Sequence, residues 1–119
     1  MSLVFVYGTL KHGGSNHQWL AGQRCLGEAQ TIAGFTLYEI DDFPGMVADP
    51  SDREGVTGEL WEVDVDCLAR LDELEGVAEK LYKRIPVALQ KPQISEPVET
   101  YLFLQSLAGR ARMGACWPV

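Results

Sequence analysis

The sequence predicts an α+β fold that is mainly β: a small barrel or strongly curved sheet with a helix packed on it. Three observations carry this. Short runs rich in β-branched and aromatic residues recur along the chain, a single segment holds a clear helical period, and 12 glycines and 6 prolines punctuate the runs. With 119 residues, 46% of them hydrophobic, the chain has the length and composition of one globular domain spanning residues 1–119. A folded chain of this mass should leave about 6,400 Å² exposed to water.

The first run, Leu3-Val4-Phe5-Val6-Tyr7, is apolar at every position and suits a strand buried on both faces, which Gly8 ends. Residues 11–16 contain Gly13, Gly14 and Ser15, a loop whose end can cap a short helical turn holding Trp19 and Leu20. Residues 25–31 and 35–40 read as two strands joined around Gly34. Residues 41–50, with Pro44, Gly45 and Pro50, read as a loop too rich in proline for a helix. Residues 56–65 give a further strand, with Leu60, Val63 and Val65 apolar and Glu59, Glu62 and Asp64 polar. Asp64 or Asp66 can then cap a helix over residues 67–75, with Gly76 placed to stop it. Residues 82–89 and 99–104 complete the strands, and the tail 105–119 shows little periodicity.

Charge and cysteine content narrow the function classes. The net charge is −7, and residues 41–80 hold 13 acids against Arg53, Arg70 and Lys80. An acidic middle repels phosphate, and no basic stripe offsets it, so nucleic acid is excluded as a partner. No apolar run reaches the length of a membrane span, and the N-terminus lacks a secretory pattern, so no membrane partner is expected either. Cys25, Cys67 and Cys116 are odd in number and far apart, which fits a reducing, cytoplasmic compartment. No cysteine, histidine or carboxylate set has metal-ligand spacing, so neither a metal nor a cofactor is expected. Assembly into a homo-oligomer stays open.

Two places suit chemistry. In Val6-Tyr7-Gly8-Thr9-Leu10-Lys11 a buried strand runs into a glycine and a hydroxyl residue. Consecutive N–H groups past a strand end can hold an anion, and a glycine lets a ligand approach the backbone, where a side chain would obstruct it. The competing reading is a tight turn. The second place is the helix. Cys67, Leu68, Leu71 and Leu74 define an apolar sector, with Glu75 about 50° from its centre, Asp72 about 110° and Glu73 about 150°. Glu75 thus points toward the core side, where apolar surroundings raise a carboxyl pKa and prepare it for acid/base work. The competing reading is that the helix frays before Glu75, whose side chain escapes to water. His17 is as much a loop histidine as a base, Ser15 and Ser106 lack a nucleophile-elbow context, and Trp61 reads as core. On the strand after the helix, Tyr82 and Arg84 share one face and Lys83 the other.

In order along the chain, Val6-Tyr7-Gly8-Thr9-Leu10, Phe43-Pro44-Gly45, Gly58-Glu59-Leu60-Trp61-Glu62-Val63, Leu71-Asp72-Glu73-Leu74-Glu75-Gly76 and Tyr82-Lys83-Arg84 resemble the landmarks of the gamma-glutamylcyclotransferase-like family, and within it the gamma-glutamylamine cyclotransferase branch. The resemblance implies a small curved β-barrel with short flanking helices. It also implies an enzyme acting on a small γ-glutamyl substrate, whose α-amine attacks its own γ-amide and releases 5-oxoproline and an amine. By the same resemblance Glu75 is the general acid/base, while Tyr7, Gly8, Thr9, Leu10 and Tyr82 contact the substrate. Phe103 stands where relatives tend to place a tyrosine, with Tyr101 two positions earlier on the same face. The rival reading is a binding module that keeps the pocket for an amino-acid-like metabolite without turning it over.

Overall fold

The computed structural model of the chain describes residues 1–118. Its elements in order are β1 (Ser2–Val6), a 3-10 turn (His17–Leu20), β2 (Arg24–Thr31), β3 (Phe35–Glu39), β4 (Pro44–Ala48), β5 (Thr57–Val63), α1 (Val65–Leu74), β6 (Tyr82–Pro86), β7 (Leu89–Lys91), β8 (Val98–Phe103) and β9 (Ala111–Gly114). One mixed nine-stranded sheet joins the strands in the order β7-β2-β5-β1-β8-β4-β3-β9, with β6 added on β8. The expected barrel is realised as a curled sheet that stays open, because β7 and β9 at its two ends pair inward only. The exposed area, 6457 Å², matches the value expected from mass.

β1 holds the middle of this sheet because its residues are apolar on both faces. Val4 and Val6 join Leu20, Trp61, Val63, Cys67 and Leu71 in one cluster, which α1 and the 3-10 turn cover. Phe5 belongs with Ala29, Leu37, Met46 and Leu60 to a second cluster on the opposite face. Val4, Phe5 and Val6 are all buried, and each contributes about 1.5–3 kcal/mol of transfer free energy.

β8 has three partners, and this fact shapes the molecule. β6 runs antiparallel along it from Tyr82↔Phe103 to Pro86↔Glu99, filling one edge. On the other edge, Val98 and Glu99 pair with Leu3 and Val4 of β1, whereas Leu102 pairs with Met46 of β4. β1 and β4 therefore diverge along one edge of β8 and leave a fork. The Tyr7 hydroxyl fills it, donating to the Tyr101 carbonyl at 2.6 Å and accepting from Met46 N–H at 3.2 Å.

Three expectations are corrected. The loop expected over 41–50 contains β4, which tolerates Pro44 at its first position, and Gly45 is required because a Cβ there would lie 2.7 Å from the Phe103 ring. The strand expected over 82–89 is two, β6 on β8 and β7 on β2. The tail supplies β9, which pairs with β3. The helix is close to expectation: Asp64, not Asp66, is its cap, accepting from Cys67 N–H at 2.7 Å, and Val65 is its first residue, not the end of a strand.

Candidate active site

A cavity of about 330 Å³ opens at the fork. Its lining includes Gly8, Thr9 and Leu10 from the loop after β1, Pro44 from β4, Glu75 from the end of α1 and Tyr82 from β6. Tyr7 and Tyr101 line it as well. All six residues singled out by sequence thus meet on one surface.

The loop is held open by its own bonds. Lys11 N–H donates to the Gly8 carbonyl at 3.1 Å, and Asn16 grips Thr9 twice, N–H to carbonyl at 2.9 Å and Nδ2 to Oγ1 at 3.0 Å. Gly14 packs so close that a Cβ would sit 2.1 Å from the Thr9 carbonyl oxygen. Among the described residues the N–H groups of Gly8, Thr9 and Leu10 donate to no protein acceptor. Three successive free donors in a cavity wall suit a carboxylate or an oxyanion. The reason for glycine at position 8 differs from expectation: a Cβ there would lie 2.6 Å from Cγ of Pro44, so the glycine admits β4 rather than a ligand. A side chain at position 8 would push the two cavity walls apart.

Glu75 reaches the cavity because α1 ends on it in an orderly way. Its N–H still closes onto the Leu71 carbonyl at 2.9 Å, so the helical phase persists through it. Gly76 then turns left-handed at φ 64°, and its N–H and that of Val77 cap the Glu73 and Asp72 carbonyls at 3.1 and 3.0 Å. This closure excludes the frayed end that would have freed Glu75. Among the described residues no hydrogen bond or ion pair reaches the Glu75 carboxyl, and burial pushes its pKa up to about 7. Glu73, two residues earlier, is exposed.

Three tyrosines line the cavity with Glu75, each with its hydroxyl engaged. Beyond the Tyr7 bridge, Tyr82 donates to the Pro44 carbonyl at 2.6 Å and Tyr101 to Asp72 Oδ1 at 2.7 Å. Burial raises the pKa of Tyr7 and of Tyr82, with the nearby Glu75 charge adding to it, and burial and then Asp72 raise that of Tyr101. All three remain neutral donors at physiological pH. Arg84 shares the Tyr82 face as expected, but Asp72 at 2.5 Å and Glu99 at 3.4 Å hold its guanidinium. Phe103 does not line the cavity; its ring packs edge-on to Tyr82, centroids 5.3 Å apart.

Sequence reasoning missed Asp72 as the anchor of Tyr101 and Arg84, because the partners come from strands 12 and 29 residues away. It set Ser15 aside as a nucleophile and missed Asn16 and Asp42, and all three lie at the cavity wall. His17 lies outside the lining, with Nδ1 at 3.0 Å from the Leu10 carbonyl. Where the sequence offers no ligand spacing, the fold nonetheless gathers His12, Cys25 and Glu59 outside the cavity, with one ligand atom from each lying within 4.8 Å of the others.

Comparison with known proteins converges on one group. The family model described as gamma-glutamyl cyclotransferase, AIG2-like, matches residues 4–118. A Vibrio cholerae protein provisionally named gamma-glutamylcyclotransferase is 40% identical over 98 residues, covering 82% of this chain and 76% of the relative. The gamma-L-glutamyl-butirosin B gamma-glutamyl cyclotransferase of Niallia circulans is 33% identical over 107 residues, covering 86% of this chain and 64% of its own length. Among solved structures, an AIG2-like protein from Mus musculus superposes with a TM-score of 0.75 at 30% identity over 86% of this chain and 76% of its own.

Proposed function

The chain belongs to the gamma-glutamyl cyclotransferase, AIG2-like family, and on that premise we propose that it forms a single domain which converts a γ-glutamyl amine into 5-oxoproline and a free amine. Nucleophile and electrophile belong to the same substrate, so the site has only to hold a folded conformer, an advantage worth several kcal/mol or more. The α-ammonium gives a proton to Glu75. The freed amine nitrogen then bonds to the γ-carbonyl carbon, and the oxygen becomes an oxyanion. Glu75 returns the proton to the amide nitrogen, the oxyanion collapses to a carbonyl as the carbon–nitrogen bond breaks, and the second proton of the new ring nitrogen passes through Glu75 to the departing amine, which leaves as an ammonium ion without water, cofactor or metal entering the balance. Gly8, Thr9 and Leu10 N–H groups hold the oxyanion or the substrate carboxylate, while Tyr7 and Tyr82 shape the wall beside it.

The observation that carries this reading is the Glu75 carboxyl, near pKa 7, in the same cavity as three N–H donors, all of them without a partner among the described residues. A group that must both accept and donate a proton works best when its pKa lies near the operating pH. The gamma-glutamylamine branch rests on the likeness of the opening strand and of Tyr7-Gly8-Thr9-Leu10-Lys11 to that branch, and a cytoplasmic location on the thiols of Cys25, Cys67 and Cys116, which are free of disulfides. The test is incubation with γ-glutamyl amines and γ-glutamyl dipeptides, with 5-oxoproline read by mass spectrometry. The parent should form it and Glu75→Gln should not. Tight binding of these compounds without product would favour the binding module instead.

A further inference from the structure

We propose that His12, Cys25 and Glu59 form a binding site for a divalent ion of the zinc class, outside the cavity and separate from the acid/base chemistry.

Three distant segments are brought together by sheet geometry. On β5, Glu59 and Trp61 are alternate residues and share a face, and Cys25 of β2 stands opposite Trp61. The register then jumps from Cys25↔Trp61 to Gly27↔Leu60, a bulge at Leu26 of the kind that re-aims a side chain. The loop after β1 folds back over the same face, where His12 N–H donates to both Glu59 oxygens, at 3.1 and 3.2 Å, and His12 Nδ1 lies 3.0 Å from Oε2. Thiol, imidazole and carboxyl groups thereby converge, one ligand atom of each within 4.8 Å of the others. Around a tetrahedral zinc ion such donors stand about 3.3–3.8 Å apart, so each has to move by roughly an ångström or less. His12, with 58% of its side chain exposed, and the exposed Cys25, whose Sγ accepts among the described residues only the Gly27 N–H at 3.4 Å, have room to do so, whereas Glu59 is only 15% exposed and anchored by the Trp61 indole at 3.1 Å.

The surroundings suit an ion better than they suit a lone ion pair. A half-exposed His12–Glu59 contact is worth little by itself and needs no thiol beside it. A proton shared by Nδ1 and Oε2 occupies the lone pairs that a metal would take, so an ion can replace that hydrogen bond without leaving a partner stranded. The Trp61 ring forms an apolar wall, 5.3 Å from the His12 ring and 5.6 Å from that of His17. His17 lies 4.5 Å from His12 and has Nδ1 on the Leu10 carbonyl, leaving Nε2 to accept. The fourth position falls to water. Because Leu10 and His12 belong to the same loop, a bound ion would fasten this loop to β2 and β5.

Cobalt(II) is the probe, because thiolate ligation gives it a charge-transfer absorption and four-coordination gives strong visible bands. The reduced protein should take up one equivalent with both features. Cys25→Ser should lose the charge-transfer band, His12→Ala should bind at least about tenfold more weakly, and Cys116→Ser should match the parent. Zinc should displace cobalt and raise Tm in the parent but not in Cys25→Ser. Failure of the parent to show the charge-transfer band, or its retention in Cys25→Ser and loss in Cys116→Ser, would overturn the site. Glu75→Gln, whose turnover tests the cyclotransferase reading, should bind cobalt as the parent does; loss of cobalt there would place the ion in the cavity and also overturn it.

Discussion

Asp72 and Glu75 lie less than one helical turn apart on the same helix and meet opposite fates. Asp72 spends both oxygens on the fold, one on the Tyr101 hydroxyl and one on the Arg84 guanidinium. Glu75 faces the cavity with neither oxygen bonded to any of the described residues, and burial raises its pKa to about 7. The first carboxyl ties strands to the helix, whereas a carboxyl left in apolar surroundings without partners is poised to change charge. The contrast separates a wall from a working group without reference to position in the chain.

Replacing Glu75 is the strongest way to break that contrast. Glu75→Gln keeps shape and a hydrogen-bond acceptor but cannot take the ammonium proton, so kcat should fall by at least about 100-fold while substrate still binds, as steady-state kinetics and calorimetry would show. Parent-like turnover in this variant would remove Glu75 from the mechanism.

The same replacement sharpens the contrast through pH. Because the folded Glu75 binds its proton more tightly than the unfolded chain does, its ionisation destabilises the fold as pH rises from about 4.5 to 7, and the full cost is present above that window. At pH 8 Glu75→Gln should therefore be more stable than the parent by roughly 1–3 kcal/mol, and the gain should vanish at pH 4. Denaturant melts at the two pH values give the comparison. In the parent, kcat/KM should climb with pH through a midpoint near 7, since the base must be ionised.

Asp72→Asn tests the other carboxylate. It preserves an acceptor for Tyr101 but removes the charge opposite Arg84, a pair 30% and 27% exposed. A stability loss of about 1 kcal/mol, near 4 °C in Tm, should accompany a fall in kcat of less than about tenfold, with the midpoint near pH 7 retained. A fall matching that of Glu75→Gln would erase the distinction between the two. The smallest effect belongs to Glu73→Gln on the exposed face, which should match the parent in turnover and Tm.

Legibility followed the range of the interactions involved. β1 and α1 could be read because their signals are local: five consecutive apolar residues, an aspartate cap, a glycine stop. The phase of Glu75 came from the same helical period and survived because its N–H still closes onto Leu71. β4 was hidden because Pro44 and Gly45 look like loop residues until Gly8 and Phe103 are known to press against them. β9 has no pattern of its own and exists through its pairing with β3, more than 70 residues earlier. The fork, and with it the reason why Tyr7 stands at the cavity, depends on three strands competing for β8, which no window of sequence contains.

That fork also fixes an order of events during synthesis. The Tyr7 hydroxyl closes on a carbonyl 94 residues downstream, and β1 gains its parallel neighbour only from residues 98 and 99. As the chain leaves the ribosome, β1 and β5 can pair early, but the edge of β1 that will face β8 stays open until nearly the whole domain has emerged. An apolar strand with an unpaired edge invites other chains. The geometry that creates the cavity therefore leaves the nascent protein exposed to misassembly for longest at the segment its core relies on most, and substitutions that slow β8 should lower soluble yield before they alter the finished fold.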